Sequence, residues 1–258
     1  MPTFLFDSII FGPIWSRRLG ESLGINLLPV NRKVCTFNCI YCECGLTPDD
    51  SPFSGFPPRH QVKELLSSRL IEMKKEGDYL DSITFAGNGE PTLHPEFREI
   101  MDDTVDIRNR YFPEAKIAVL SNATLAGNFD VYNALLKADL NILKLDSAIE
   151  TTLRNINCPK GRFGLTALID SLKKFRGKLI IQTLFFRGTY GGVDVDNCTE
   201  NEISAWLKSV AELQPQCVMI YSIARDTAIP GLKQVGIEEL SAIAARVRKI
   251  GIEVQVTP

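Results

Sequence analysis

The chain has no apolar run long enough to span a bilayer, so no membrane partner is expected. Its N-terminal segment MPTFLFDSIIFGPIW is apolar in patches but lacks a basic leader and a small-residue cleavage site, which makes the cytoplasm the expected compartment. Charge of one sign is also missing. Lys and Arg number 29 against 31 Asp and Glu, a formal net charge of −2, and no overall field attracts polyanions. Nucleic-acid binding stays open but would need a local basic patch. Histidine is scarce: His60 and His94 have no metal-ligand partner at useful spacing. There is no internal repeat, no low-complexity tract and no convincing linker; the Pro-rich stretch from Thr47 to Pro58 reads as a loop. Seven cysteines, an odd number in a chain without a leader, argue against a disulfide framework and for a reduced compartment.

What is present is the makeup of a globular α/β protein, 45% hydrophobic and 23% charged, expected to fold as one domain over residues 1–258. From residue 60 onward amphipathic helical stretches alternate with short β-rich runs. In HQVKELLSSRLIEMKKEG the residues Val62, Leu65, Leu66, Leu70 and Met73 fall on one helical face, with Gly77 as the stop. Thr199 and Glu202 form a capping-box spacing ahead of Ile203, Trp206, Leu207 and Val210. The last helix carries Leu240, Ile243 and Val247 and ends at Gly251. Strands are expected near Leu23–Leu28, Ser82–Ala86, Lys116–Leu120, Asn141–Leu145, Leu179–Phe185 and Cys217–Tyr221, with a terminal run Glu253–Val256. Six such βα steps build either an open doubly wound sheet or a complete or partial barrel.

The cysteines are clustered. Cys35, Cys39, Cys42 and Cys44 crowd together, whereas Cys158, Cys198 and Cys217 lie singly downstream. Thiolates this close repel unless a cation compensates them, so a metal or metal cluster is the natural reading. The run from Val34 to Cys42 holds CxxxCxxC just after the first expected strand. Three thiolates satisfy three irons of a 4Fe-4S cubane and leave the fourth open, whereas a purely structural cluster normally uses four cysteines. The alternative is a four-cysteine zinc site that includes Cys44. After the second expected strand comes SITFAGNGEPTLHP, with Gly87, Asn88, Gly89, Glu90 and Pro91 in a turn.

Together these motifs resemble the radical S-adenosylmethionine (SAM) superfamily, whose signature is CxxxCxxC with an aromatic residue before the third cysteine, as Tyr41 is here. The resemblance implies a partial (β/α)6 barrel with the functional groups at the C-terminal strand ends. It further implies a 4Fe-4S cluster on Cys35, Cys39 and Cys42, and SAM held by Tyr41, Gly87, Asn88, Gly89, Glu90 and Pro91. Glycine suits such a turn because it permits close backbone approach. Ser121 and Asn122, ending the third strand, are expected to contact the SAM ribose or to be an ordinary turn. FGPIWSRRLGESLGINLLP, IQTLFF and VMIYSIARDT resemble an uncharacterised group related to the wyosine-base tRNA-modifying radical SAM proteins. The implied chemistry is reductive cleavage of SAM to methionine and a 5′-deoxyadenosyl radical that abstracts a substrate hydrogen. A ferredoxin- or flavodoxin-type electron donor is the implied partner. A tRNA-modifying enzyme, a glycyl-radical-enzyme activase and a non-catalytic iron-sulfur protein are the alternatives.

Three further residues are candidates for catalysis. Lys144 and Asp146 are two apart in NILKLDSA, so on a strand they share one face, inward in a barrel, while Leu143 and Leu145 meet the helices. The alternative is a structural ion pair. Arg225, with Arg17 and Arg18, is expected to flank the open side of the barrel, where an arginine fork can bind an anionic substrate. Solvent-facing or loop-paired arginines are the alternative.

Overall fold

The computed structural model describes residues 4–47 and 55–257. Most of the stretch from Thr47 to Pro58 therefore lies outside the described residues. The described elements run β1 (Ile10–Ser16), β2 (Gly20–Ile25), α1 (Arg59–Glu76), β3 (Ser82–Phe85), α2 (Phe97–Tyr111), β4 (Lys116–Ser121), α3 (Phe129–Leu135), β5 (Leu140–Lys144), α4 (Glu150–Asn157) and α5 (Leu165–Lys173). They continue through β6 (Ile180–Arg187), β7 (Thr189–Tyr190), β8 (Val193–Asp194), α6 (Glu200–Leu213), β9 (Cys217–Ser222), β10 (Lys233–Gln234), α7 (Ile237–Lys249) and β11 (Glu253–Thr257).

The main path of the sheet is β1-β2-β3-β4-β5-β6-β9-β11, curled into a half-barrel. Every neighbouring pair is parallel except β1 with β2. The six expected strands are the parallel run β2 to β9, as a partial (β/α)6 barrel requires. Differences lie at the edges. The first parallel strand starts at Gly20 and stops at Ile25 because Asn26 turns the chain out, its Oδ1 accepting from the backbone N–H groups of Leu28 and Asn88 at 3.2 and 3.1 Å. The expected terminal run Glu253–Val256 is a full parallel strand on β9, extended to Thr257. The segment ahead of β2 forms an antiparallel edge strand, with a register shift between Phe11 and Ile14.

Alternation along the strands separates two apolar layers. Leu143, Leu145, Ile117 and Val119 join the large core between sheet and helices. Ala118, Ile142, Ile180 and Met219 point into the barrel and plug its lower end. Two residues further along each strand the inward positions are Leu120, Lys144, Gln182 and Tyr221, and all four line one cavity above that plug. In α1, Val62, Leu66, Leu70 and Met73 are buried, whereas Leu65 is 41% exposed at the margin of the apolar stripe. Gly77 ends the helix in a left-handed conformation, its N–H donating to Met73 O. Thr199 caps α6 by accepting from Glu202 N, but the Glu202 carboxylate accepts from the Ser147 hydroxyl at 2.6 Å instead of returning to the cap.

Candidate active site

The loop at residues 33–45 follows β2 and is clamped from two sides. Val34 forms an isolated parallel bridge with Gly89: Val34 N donates to Asn88 O at 2.9 Å and Glu90 N donates to Val34 O at 3.0 Å. Opposite, Asn38 N and Ile40 N donate to the Asn157 and Ile156 carbonyls ending α4, at 2.8 and 3.0 Å. Held this way, Cys35, Cys39 and Cys42 line a single cavity of about 290 Å³. Burial pushes the Cys35 and Cys39 thiols up, to about 12 and about 11, so neither ionises without added positive charge. Cys42 is drawn down to about 5 by a hydrogen bond from Cys44, against burial, with the Lys33 ammonium helping.

Each sulfur faces a nitrogen donor from a different segment. Asn122 Nδ2 is 3.5 Å from Cys35, Asn157 Nδ2 is 3.2 Å from Cys39, and Lys33 hydrogen-bonds Cys42. Burial opposes the charge on Lys33, but Cys42, Cys39 and Cys35 more than reverse it and raise its pKa. Lys33 Nζ also donates to Gly45 O at 2.8 Å.

The turn after β3 is knitted to the end of β4 through Glu90. Its fully buried carboxylate accepts from Ser121 Oγ (2.8 Å), Asn122 N (2.6 Å), Thr92 Oγ1 (2.6 Å) and Thr92 N (3.1 Å). Burial raises its pKa against those four bonds. Gly87, Gly89, Glu90, Ser121 and Asn122 all line the cysteine cavity. Asn88 and Pro91 do not. The Asn88 side chain is committed elsewhere, donating to Phe6 O and Pro29 O at 2.8 and 2.9 Å and accepting from Phe6 N. The glycines answer to the protein's own packing as well: a Cβ at Gly89 would meet Val34 O at 1.8 Å, and one at Gly87 would meet Asn26 Oδ1 at 2.4 Å.

Tyr41 lies between the two charges expected to form a pair. Lys144 Nζ donates to the Tyr41 oxygen at 2.8 Å, and the Tyr41 hydroxyl donates to Asp146 Oδ2. The direct Lys144–Asp146 separation is 3.6 Å. Asp146 also accepts from Asn157 Nδ2 at 2.7 Å and Leu184 N at 3.1 Å. Burial opposes the Lys144 charge, and Asp146 overrides it, leaving its pKa raised. Tyr41 is pushed well up by burial first and by Asp146 second. Lys144 and Tyr41 reach the cavity; Asp146 sits behind them.

Arg225 stands apart from the cavity, its side chain 72% exposed and donating to Glu43 at 2.8 Å. With Arg17 and Arg18 it lines a neighbouring groove. Arg18 lines both groove and cavity, although the β1–β2 turn that carries it precedes the first parallel strand. One contributor thus comes from the N-terminal end of a strand, contrary to the expectation that all lie at C-terminal ends.

The radical SAM superfamily model matches residues 33–188. The chain belongs to the radical SAM superfamily of enzymes. It is 30% identical over 243 residues to a UPF0026 protein of Methanocaldococcus jannaschii, covering 92% of this chain and 70% of that protein, and it belongs to that family too. A Brachyspira hyodysenteriae protein named GTPase Obg is 28% identical over 235 residues; the match covers 90% of this chain and only 32% of that much longer relative. Among solved structures, a radical SAM methyltransferase from Sphaerobacter thermophilus superposes with a TM-score of 0.66 at 13% identity, covering 92% of this chain and 65% of that one. Archaeal TYW1 gives 0.53 at 13% identity, covering 88% and 71%. At these identities the likeness to solved structures is one of fold.

Superfamily membership implies a 4Fe-4S cluster and SAM, and the donor set fits both. Cys35, Cys39 and Cys42 each meet, in that cavity, a nitrogen donor that favours the anionic form of the thiol. Cys44 lines the same cavity, its thiol hydrogen-bonding Cys42 and lying 3.5 Å from Gly87 O. Among the described residues no three Cys, His, Asp or Glu side chains converge closely enough for one metal ion, as tetrahedral zinc would require. A cluster of several irons spaces its thiolates more widely. Of the distal cysteines, Cys158 ends α4 behind the cluster loop, Cys198 is buried, and Cys217 begins β9. No described helix is long and apolar enough to cross a membrane.

Sequence reasoning missed Lys33, Asn157 and Gln182. Lys33 lies two residues before the first cysteine, a usable signal. Asn157, far away in sequence, reaches Cys39 only through the docking of α4 on the loop.

Proposed function

We propose that Cys35, Cys39 and Cys42 hold a 4Fe-4S cluster, and that this chain cleaves SAM reductively to abstract hydrogen from a substrate yet to be identified. The observation that carries this reading is the opening of the three sulfurs onto the cavity that Gly87, Gly89, Ser121 and Asn122 also line. When bound, cluster and SAM supply a 5′-deoxyadenosyl radical; the protein supplies orientation and exclusion of water. Leu120, Phe37 and Leu184 contribute apolar walls to the cavity. Glu90 fixes the glycine turn against the end of β4 through its bonds to Ser121 and Asn122. Asp146 holds the Tyr41 hydroxyl proton and so sets the ring's orientation at the cavity wall, while Lys144 donates to the same oxygen from the cavity side. A ferredoxin- or flavodoxin-type donor supplies the electron.

Anaerobic reconstitution with iron, sulfide, SAM and a reductant tests this. The expected product is 5′-deoxyadenosine, formed slowly alone and faster with the cell-extract fraction that contains the substrate. Protein that assembles a cluster and binds SAM but never releases 5′-deoxyadenosine would contradict the reading. A tRNA substrate would show itself as acceleration by the RNA fraction with steep salt dependence.

A further inference from the structure

Two buried nitrogens at the cysteine-lined cavity have no acceptor. Gln182, in β6, is 7% exposed and lines the cavity, and its Nε2 lacks a hydrogen-bond partner. Arg18 enters from the β1–β2 turn, with its guanidinium carbon 4.3 Å from the centre of the Tyr221 ring and its Nη1 buried and unpartnered. Tyr221 is registered against Leu184, two residues beyond Gln182 on the adjacent strand, so the two donors serve the same side of the cavity.

The other cations around the cavity are already matched. Lys144 has Tyr41 and Asp146, Arg225 has Glu43, and Lys33 has Gly45 O and the Cys42 thiol. Arg18 forms no ion pair with any described residue; its charge rests on an aromatic face. Stacking fixes the guanidinium plane and leaves the N–H edge to present a fork, the geometry that carboxylate and phosphate oxygens match. The buried Gln182 amide N–H, lining the same cavity, adds a further donor and no negative charge. The two buried unpartnered groups on residues that line the cavity are both donors, so the missing ligand is an acceptor, and the lone positive charge asks for a negative one.

We propose that Arg18 and Gln182 form an oxyanion subsite, and that the substrate docks a carboxylate or phosphate group there. The substrate class rests on the reading of the preceding section; the anion site rests on the cavity alone.

Thermal unfolding of the anaerobically reconstituted, SAM-loaded protein in inorganic phosphate or succinate, at ionic strength held constant with choline chloride, tests the subsite. Binding to the folded state makes Tm rise with anion concentration. The proposal expects such a rise in the wild type, its loss in Arg18→Met, and an about tenfold higher half-saturating concentration in Gln182→Leu, which preserves volume. A steeper response to phosphate or to succinate identifies which oxyanion is preferred. The subsite is overturned if the wild type responds no more than Arg18→Met and Gln182→Leu do. It is equally overturned if Gln182→Leu loses SAM affinity in equilibrium dialysis, because the donors would then serve SAM's own carboxylate. Anion stabilisation in protein that assembles no cluster and binds no SAM would sink the radical SAM reading and leave the anion subsite standing.

Discussion

Gly89 lies so close to Val34 that a Cβ at Gly89 would come within 1.8 Å of the Val34 carbonyl oxygen. Its φ of +138° is also one that other residues rarely adopt. The contact joins the glycine turn to the cysteine loop. Gly89→Ala is therefore expected to lower both iron incorporation and thermal stability, and not SAM affinity alone. Gly164→Ala is the control, since a Cβ there meets nothing within 4 Å. Iron content and Tm of the two variants check the expectation; normal iron in Gly89→Ala would show that the loops are not coupled through this contact.

Glu90 offers two acceptor oxygens to four donors. Glu90→Gln turns one oxygen into an N–H₂ group that confronts donors from Asn122 or from Thr92 and Ser121. The expected loss is about 1–3 kcal/mol, with Tm falling about 2–4 °C per kcal/mol for a chain near this size. Calorimetry of the anaerobic protein measures it. An unchanged Tm would mean that the carboxylate does not tie the turn to β4.

Asp146 supplies the buried counter-charge to Lys144 through and alongside Tyr41. Removing one partner of such a pair strands the other, so Asp146→Ala should cost about 3–5 kcal/mol in denaturant unfolding. Lys144→Met combined with Asp146→Ala should cost clearly less than the sum of the single changes, with a coupling of about 0.5–3 kcal/mol. Strict additivity would show that the two charges do not communicate.

Asp103 gives an acid-pH signature remote from the cavity. Hydrogen bonds from Arg59 and Lys63, which tie α1 to α2, hold its carboxyl below the usual value of 3.8. A depressed carboxylate contributes stability that is full above the unfolded-state pKa and is lost as pH falls through the lower folded value. Stability measured downward from about pH 5 should therefore fall less in Asp103→Asn than in the wild type. Parallel curves for the two proteins would contradict the assignment.

Much of the site was legible before the structure because its spacing is local. CxxxCxxC and Gly87–Pro91 each bring their own residues together, and strand alternation alone placed Lys144 inward with Leu143 and Leu145 outward. The six parallel strands were legible from short β-rich runs between amphipathic helices. The edge strand β1 was not, because Gly12 and Pro13 interrupt its alternation where the register shifts. The closeness of Lys144 and Asp146 was legible, although Asp146 lies past the end of β5 and behind the cavity wall; Tyr41 standing between them was not, since that contact spans more than a hundred residues and depends on how the cysteine loop docks. Arg18, expected at the open side, lines both cavity and groove from the β1–β2 turn, whereas Arg225 found Glu43 in the cluster loop, a partner no local pattern discloses.

The account turns on three cysteines holding one cluster with an open iron. Metal content and electron paramagnetic resonance of the reduced, anaerobically reconstituted protein, recorded before and after SAM is added, test it most directly. The expected result is about four irons per chain, a spectrum that SAM perturbs, loss of both in Cys35→Ala, Cys39→Ala and Cys42→Ala, and retention of both in Cys44→Ala. Stoichiometric zinc without iron, or loss of the metal in Cys44→Ala, would contradict it.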